Sequence, residues 1–234
     1  MQRQLSILVP CRNEAEGILN CLKRIVAAFP EAEVLVVDGG PDQTERIVTD
    51  FSLAFTNVRY IRNFPDFGKG HAIQTGISKS TGKIICQLDA DLQFYPEELK
   101  NLLAPILANK ADMVLGSRFM KGSTRNQGST PFFRSLGNHL LSLYASLLTR
   151  HRMTDVLAGV KAWRKEVTDS FSLKSNSYSY EVELPMRAIR KGWRVSDIPV
   201  STEARLVGTS SVNAIRDGWN IFKEMNKIWV LQNQ

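Results

Sequence analysis

The sequence is poor in residues that staple or ligate a fold. Its three cysteines, Cys11, Cys21 and Cys86, are odd in number and form no C-x-x-C pair. A disulfide framework and a thiolate zinc site are therefore not expected, and free thiols in a reducing compartment are. The three histidines, His71, His139 and His151, stand far apart without metal-ligand spacing. No run of five or more basic residues occurs, although 30 Lys and Arg against 23 Asp and Glu give a net charge of +7. That balance favours anionic partners such as nucleotides and phospholipid headgroups, but a dedicated nucleic-acid tail is missing. A secretory signal is missing too, since strand-like residues start at Leu5. The longest apolar stretch, Leu140 to Leu148, is interrupted by Ser142 and Ser146. It falls far short of the roughly 20 residues that a membrane span needs. Internal repeats and low-complexity segments are absent. A cytoplasmic protein is expected, with room for a peripheral place on a membrane surface.

What remains is an ordinary globular balance, 43% hydrophobic and 23% charged over 234 residues. One domain over 1–234 is expected, long enough to bury a core unaided. Short β-rich runs alternate with helical patterns. Leu5 to Val9, Val34 to Val37, Val58 to Ile61, Ile84 to Leu88 and Met113 to Gly116 read as strands. Ala15 to Phe29, a segment from about Gln43, Gly70 to Ser80 and a segment opened by Pro96 read as the helices between them. This repetition predicts an α/β fold with a mostly parallel sheet flanked by helices. Beyond Gly116 the texture changes. Arg118 to Thr130 reads as a loop, Phe132 to Thr149, Glu181 to Lys191 and Val212 to Leu231 as helices, and Val160 to Trp163 and Val195 to Val200 as added strands. The oligomeric state is not legible.

Ligands of such sheets bind beyond the carboxyl ends of the strands. Polar residues gather there: Pro10-Cys11-Arg12-Asn13-Glu14, Asp38-Gly39-Gly40-Pro41-Asp42 and Asp89-Ala90-Asp91. Residues two apart in extended chain point the same way. Asp89 and Asp91 can thus share a hard divalent ion, Mg²⁺ or Mn²⁺, whose shell is completed by substrate phosphates. The plain alternative is a solvated pair in a turn. The buried strand before it and the acidic residues on neighbouring strand ends weigh against that. Asp38 suits nucleobase or ribose hydrogen bonds, while Asp42 suits the start of a helix. Gly68-Lys69-Gly70 precedes a helix and offers backbone N–H groups and a lysine to phosphate, or is simply a flexible turn. Arg118, Arg134 and Arg205 are forks that match phosphate oxygens, and each alone is more often a surface residue.

Together these residues resemble the family-two inverting glycosyltransferases of GT-A fold, over nearly the whole chain. The likeness is greatest to the branch that glycosylates dolichol or polyprenyl phosphate. It rests on Val9-Pro10-Cys11-Arg12-Asn13-Glu14, Val36-Val37-Asp38-Gly39-Gly40, Gly68-Lys69-Gly70-His71-Ala72, Leu88-Asp89-Ala90-Asp91-Leu92-Gln93 with Pro96-Glu97, Gly116-Ser117-Arg118-Phe119, and Arg205 with Gly208 and Ser210. The resemblance implies a nucleotide-sugar half, 1–117, and an acceptor half, 118–234. It implies a GDP-mannose or UDP-glucose type of donor and a polyprenyl-phosphate acceptor. Pro10, Arg12, Glu14, Val37, Asp38 and Lys69 would lie around the nucleotide, with Asp89 and Ala90. Asp89 and Asp91 would hold metal and diphosphate, and Gln93 would face the sugar or acceptor. Arg118, Arg134, Arg205 and Ser210 would contact phosphates. Asp91, Gln93, Arg118 and Arg134 would carry the catalysis.

Three departures stand out. The turn after the second strand is one residue shorter than the family's D-D-G-S-x-D, Ser211 replaces the lysine of R-x-x-G-x-S-K, and no membrane helices follow before Gln234. Transfer to a hydroxyl, on a glycan, protein, small molecule or modified nucleic acid, is the alternative, and it needs a general base. Asp155 and Glu183 are the candidates. A non-catalytic nucleotide-sugar-binding module is a further alternative. The last helix carries a stripe of Ile215, Trp219, Phe222, Met225, Ile228 and Trp229, with Arg216, Lys223 and Lys227 off it. That stripe fits an interfacial helix or packing on protein.

Overall fold

The computed structural model describes residues 4–126, 132–203 and 214–230. One seven-stranded sheet organises them, in the order β3-β2-β1-β4-β6-β5-β7. The strands are β1 (Leu5–Cys11), β2 (Glu33–Asp38), β3 (Val58–Arg62), β4 (Ile84–Leu88), β5 (Met113–Ser117), β6 (Val160–Arg164) and β7 (Val195–Pro199). All neighbours run parallel except β6, which is antiparallel to both β4 and β5. The sheet is therefore mostly parallel, as its βα repetition predicts. Because β6 sits between β4 and β5, the boundary placed at residue 117 falls within one sheet.

The helices are α1 (Ile18–Ala28), α2 (Thr44–Ala54), α3 (Lys69–Lys79), α4 (Leu99–Leu107), α5 (Phe132–Thr149), α6 (Lys165–Asp169), α7 (Tyr180–Arg190) and α8 (Ala214–Val230). Pro96–Glu98 forms a 3₁₀ turn before α4, so the helix opens one turn later than its proline marks. The short α6 has no counterpart in the sequence reading, because five residues are too few to show a period. Along β1, Ile7 and Val9 face one helical layer and Leu8 faces the other, the period of two that a sheet covered on both sides requires. One core packs α1, α2 and α4 against the sheet, and the second packs α3, α5, α7 and α8.

The stripe on α8 divides. Met225 and Ile228 are buried with Ile221, whereas Trp219, Phe222 and Trp229 remain exposed. The apolar arc is wider than the face that α5 and α7 cover. The Ile215 side chain lies outside the described residues. On α5, Leu136, Leu140, Leu143 and Leu147 are exposed at helical spacing, and the sequence reading did not separate them from the core face. Tyr144 of α5 stacks on Phe222, which stacks on Trp219, so the two exposed faces join.

A candidate donor site at the ends of the strands

The register of the parallel strands sets the site. Cys11 lies beside Asp38, and Asp38 beside Arg62, so the ends of β1, β2 and β3 share one rim with the end of β4. Pro10 and Val37 are buried register partners just beneath it. Arg12 is exposed and lies 3.5 Å from Asp66 on the β3–α3 loop. Glu14 is partly buried, and its carbonyl accepts the N–H groups of Gly17 and Ile18 at the start of α1.

Asp38 is fully buried. It accepts the Gly40 N–H at 2.9 Å and the Tyr60 hydroxyl at 3.2 Å. Burial raises its pKa above the ordinary value. Asp42 does not occupy the capping position of α2, which falls to Gln43. Its Oδ1 accepts the Thr44 N–H at 3.1 Å and its Oδ2 the Ala15 N–H at 3.0 Å, tying two rim loops together. A Cβ on Gly40 would meet Asn13 N at 2.6 Å, so the short turn needs glycine there. Asn13 and Leu92, with φ of 59° and 56°, hold left-handed backbone at this rim. Such strain concentrates where a loop must present a ligand site.

Lys69 stands at the centre. Its ammonium lies 2.7 Å from Asp89 Oδ1 and 2.8 Å from Oδ2, donating its hydrogen bond to Oδ2, and donates another to Glu181 Oε1 at 2.9 Å. Part of the backbone around Gly68-Lys69-Gly70 is engaged by the protein itself: the Gly68 N–H donates to Asp66 Oδ1 at 2.8 Å. The His71 N–H donates to Asn176 O, and a Cβ on Gly70 would meet Ser175 O at 2.2 Å. The carbonyls of Ser175 and Asn176 thus pack close to the start of α3.

Glu181, Lys161, Tyr180 and Gln87 complete a buried network that the sequence reading missed. Glu181 pairs with Lys161 through its other oxygen and accepts the Tyr180 hydroxyl at 2.6 Å and Gln87 Nε2 at 3.3 Å. Burial opposes its charge, but Lys161 and Lys69 prevail and draw its pKa down to about 2. The signal available was Lys161, a charge inside the apolar Val160–Trp163 strand. A buried lysine requires a partner.

Asp89 is pushed up to about 6 by burial and by the negative charges of Asp91 and Glu181, against the pull of Lys69. Its Oδ1 is ion-paired to the Lys69 ammonium at 2.7 Å. Asp91 is nearly buried and accepts the Gln93 N–H at 3.1 Å. Gly159 holds the space beside Asp89, because a Cβ there would stand 2.0 Å from Oδ2. Among the described residues no group of three or more acidic, His or Cys side chains is arranged to hold a metal alone. The crowded Asp89 and Asp91 carboxylates, hard oxygen donors side by side, still fit a divalent ion that takes its other ligands from substrate phosphates.

On the acceptor side, Arg118 is bound bidentately by Asp155 at 2.6 and 2.8 Å, between the rings of Phe94 and Phe119. Asp155 thus holds the Nε and Nη2 edge of the guanidinium and fixes its orientation. Asp155 is fully buried in that pair. Glu183 accepts the N–H groups of Lys174 and Ser175 and pairs with Arg187. Both carboxylates named as bases are thus committed to structure. The Arg134 side chain, Arg205 and Ser210 lie outside the described residues. Glu203, just before Arg205, donates its N–H to Gln93 O at 3.0 Å. Chain entering that segment therefore starts beside Gln93.

The sequence profile described as Glycosyl transferase family 2 matches residues 6–169. The polyprenol monophosphomannose synthase of Mycolicibacterium smegmatis is 31% identical over 236 residues, covering 97% of this chain and 86% of its own. The undecaprenyl-phosphate mannosyltransferase of Micrococcus luteus is 28% identical over 213 residues, 88% of this chain and 86% of its own. In structure, glucosyl-3-phosphoglycerate synthase from Mycobacterium tuberculosis, solved with Mn²⁺, UDP and phosphoglyceric acid, superposes with a TM-score of 0.72 at 17% identity. That match covers 98% of this chain and 78% of the synthase, and is a likeness of fold.

Proposed function

The chain belongs to glycosyl transferase family 2 and is a glycosyltransferase of GT-A fold, and from that premise we propose that it moves a sugar from a nucleoside diphosphate to a polyprenyl phosphate with inversion. The observation that carries the acceptor class is the commitment of Asp155 and Glu183. A hydroxyl acceptor needs a base to take its proton, whereas a phosphate is already an anion. The relatives named for polyprenol and undecaprenyl phosphate support the same reading.

In this reading a phosphate oxygen of the acceptor attacks the anomeric carbon as the bond to the diphosphate breaks, and the electron pair leaves on the diphosphate. Asp38 and the rim loops orient the nucleotide. Lys69 meets the departing negative charge. Asp89 and Asp91 would hold Mg²⁺ or Mn²⁺, which supplies further charge neutralisation at the diphosphate. Gln93 faces the sugar. Arg118, positioned by Asp155, with Arg134, Arg205 and Ser210, serves the acceptor phosphate.

The test is transfer of labelled mannose from GDP-mannose, or glucose from UDP-glucose, to a short polyprenyl phosphate, with Mn²⁺ or with EDTA. Label in the organic phase, lost with EDTA, is expected. Label confined to an aqueous glycan or protein would overturn the acceptor assignment.

No helix among the described residues is long and apolar enough to cross a membrane. A lipid acceptor is instead met at the surface, through Leu136, Leu140, Leu143 and Leu147 of α5 and Trp219 and Phe222 of α8. Lys223 lies over the Trp219 ring, and Arg216 and Lys227 flank the same helix, as an anionic interface favours. Cosedimentation with anionic vesicles should fall several-fold in Leu140→Ser/Leu147→Ser. A concentration-dependent dimer lost in that variant, with vesicle binding unchanged, would assign the face to a second copy instead.

A further inference from the structure

Lys69 occupies an unusual position. It is the first residue of α3, its side chain is only 16% exposed, and its ammonium sits against both oxygens of Asp89. It is held there from three directions. Glu181 Oε1 lies 2.9 Å away, the Tyr180 ring stands 5.8 Å from the ammonium, and Gly68 at φ 117° turns the chain into the helix. Glu181 is itself anchored through Lys161, which is wholly buried and also donates to Ala158 O at 2.6 Å.

The charges of this cluster do not balance. Asp89, Asp91 and Glu181 bring three negative charges, and Lys69 and Lys161 two positive ones. Lys161 is sealed beneath Glu181, so Lys69 is the cation that meets Asp89. The space beside Asp89 therefore already holds one positive charge, on a flexible four-carbon stem that also reaches Glu181.

We infer that Lys69 is an internal stand-in for the divalent ion: its ammonium neutralises Asp89 in the free protein and yields that carboxylate to a divalent cation that arrives with the diphosphate, Glu181 being the carboxylate that retains the displaced lysine. This rests on the metal reading of Asp89 and Asp91 and deepens it. It makes cation binding conditional on the donor. A bare divalent ion must compete with a resident ammonium at close range. A cation carried in by a diphosphate supplies phosphate oxygens to which Lys69 can turn as it leaves Asp89. Glu181, kept ionised by Lys161, ensures that the lysine is never without a counter-charge during the exchange. The arrangement also spares the free protein an uncompensated pair of rim carboxylates.

The experiment measures Mn²⁺ binding by the loss of the free-ion electron paramagnetic resonance signal, on the full chain, with and without GDP or UDP. Wild type is expected to bind Mn²⁺ weakly alone and at least about tenfold more tightly with the nucleotide it accepts. Lys69→Met should bind Mn²⁺ alone about tenfold more tightly than wild type, since an opposing charge within a few ångströms is gone. Its gain from nucleotide should shrink. Lys69→Arg keeps the charge and should behave as wild type, which separates charge from damage to the fold. Glu181→Gln leaves Lys69 with Asp89 as its sole carboxylate partner and should weaken Mn²⁺–nucleotide binding several-fold. If Lys69→Met binds Mn²⁺ alone no better than wild type while nucleotide still promotes binding in both, the stand-in role is overturned and the metal site survives. If no nucleotide promotes Mn²⁺ binding in wild type, the metal reading falls, and this inference with it.

Discussion

The two rims of the sheet carry the same kinds of residue and treat them in opposite ways. At the lower rim, where the parallel strands begin, Glu33 accepts the Ser6 hydroxyl, the Thr81 N–H and Arg59. Asp112 there accepts the Arg194 N–H and its guanidinium, with Arg164 3.5 Å away. Both carboxylates are held below their ordinary pKa: for Glu33 by hydrogen bonds that outweigh its burial, for Asp112 by Arg194 first. At the upper rim, Asp38 and Asp89 are both pushed up, burial being the largest cause in each. Lower-rim carboxylates are saturated, so their charge stabilises the fold. For Asp38 and Asp89 burial outweighs the partners they have, so their charge costs stability until a ligand supplies cations or further hydrogen bonds. That contrast separates structural from functional acid groups more sharply than residue type does.

The largest effect that tests the contrast is on activity at the upper rim. Asp91→Ala should lower sugar transfer by roughly 10²–10³-fold, the scale for losing one electrostatic stabiliser of a developing charge. Its melting temperature should change little if the carboxylate serves a ligand rather than the fold. A large fall in melting temperature would place Asp91 among the structural carboxylates and break the distinction. Gly159→Ala comes next. A methyl 2.0 Å from Asp89 Oδ2 must push that carboxylate aside. Transfer should fall roughly 10–10²-fold, since small misplacements of reacting groups are costly. Unchanged kcat with Mn²⁺ and donor at saturation would show that Asp89 need not stay where Gly159 lets it lie.

Much of the upper rim is legible in the chain. The five βα strands, the three acidic strand ends and the Asp89-Ala90-Asp91 turn follow from period, turn chemistry and position, and their family likeness is confirmed by the Glycosyl transferase family 2 match. The network beneath is not legible. Glu181 looks like one more acid in the first turn of a helix, and only the docking of α7 on β6 brings it to Lys161 and Lys69. The pairing of Arg118 is hidden for the same reason. Nothing local signals that Asp155, 37 residues on, pairs with it. Gly159 carries no periodic signal, because its role is the space it leaves for Asp89. On α8, hydropathy joined residues that tertiary packing divides between core and surface.

The smallest effect is also the most discriminating, because its sign differs between the rims. Folded Asp112 binds its proton less readily than an unfolded carboxylate, whose pKa is about 4. Above that value its charge stabilises the fold, and the contribution is lost as pH falls through the ordinary range towards the lower folded value. Asp112→Asn should therefore cost about 1 kcal/mol at pH 8, a modest figure because Arg194 is half exposed and solvent screens the pair. The gap to wild type should close as pH drops below about 4. Folded Asp38 binds its proton more readily than the unfolded chain does. Its charge lowers stability once pH exceeds about 4, increasingly until the raised folded value is passed. Asp38→Asn keeps an oxygen for the Gly40 N–H and removes the charge, so it should raise the denaturation midpoint at pH 8 and leave it unchanged near pH 3. Denaturant titrations of both variants at the two pH values decide the matter. Shifts of the same sign at pH 8 would mean that the two rims are electrostatically alike, and that the upper carboxylates are no more poised for a ligand than the lower ones.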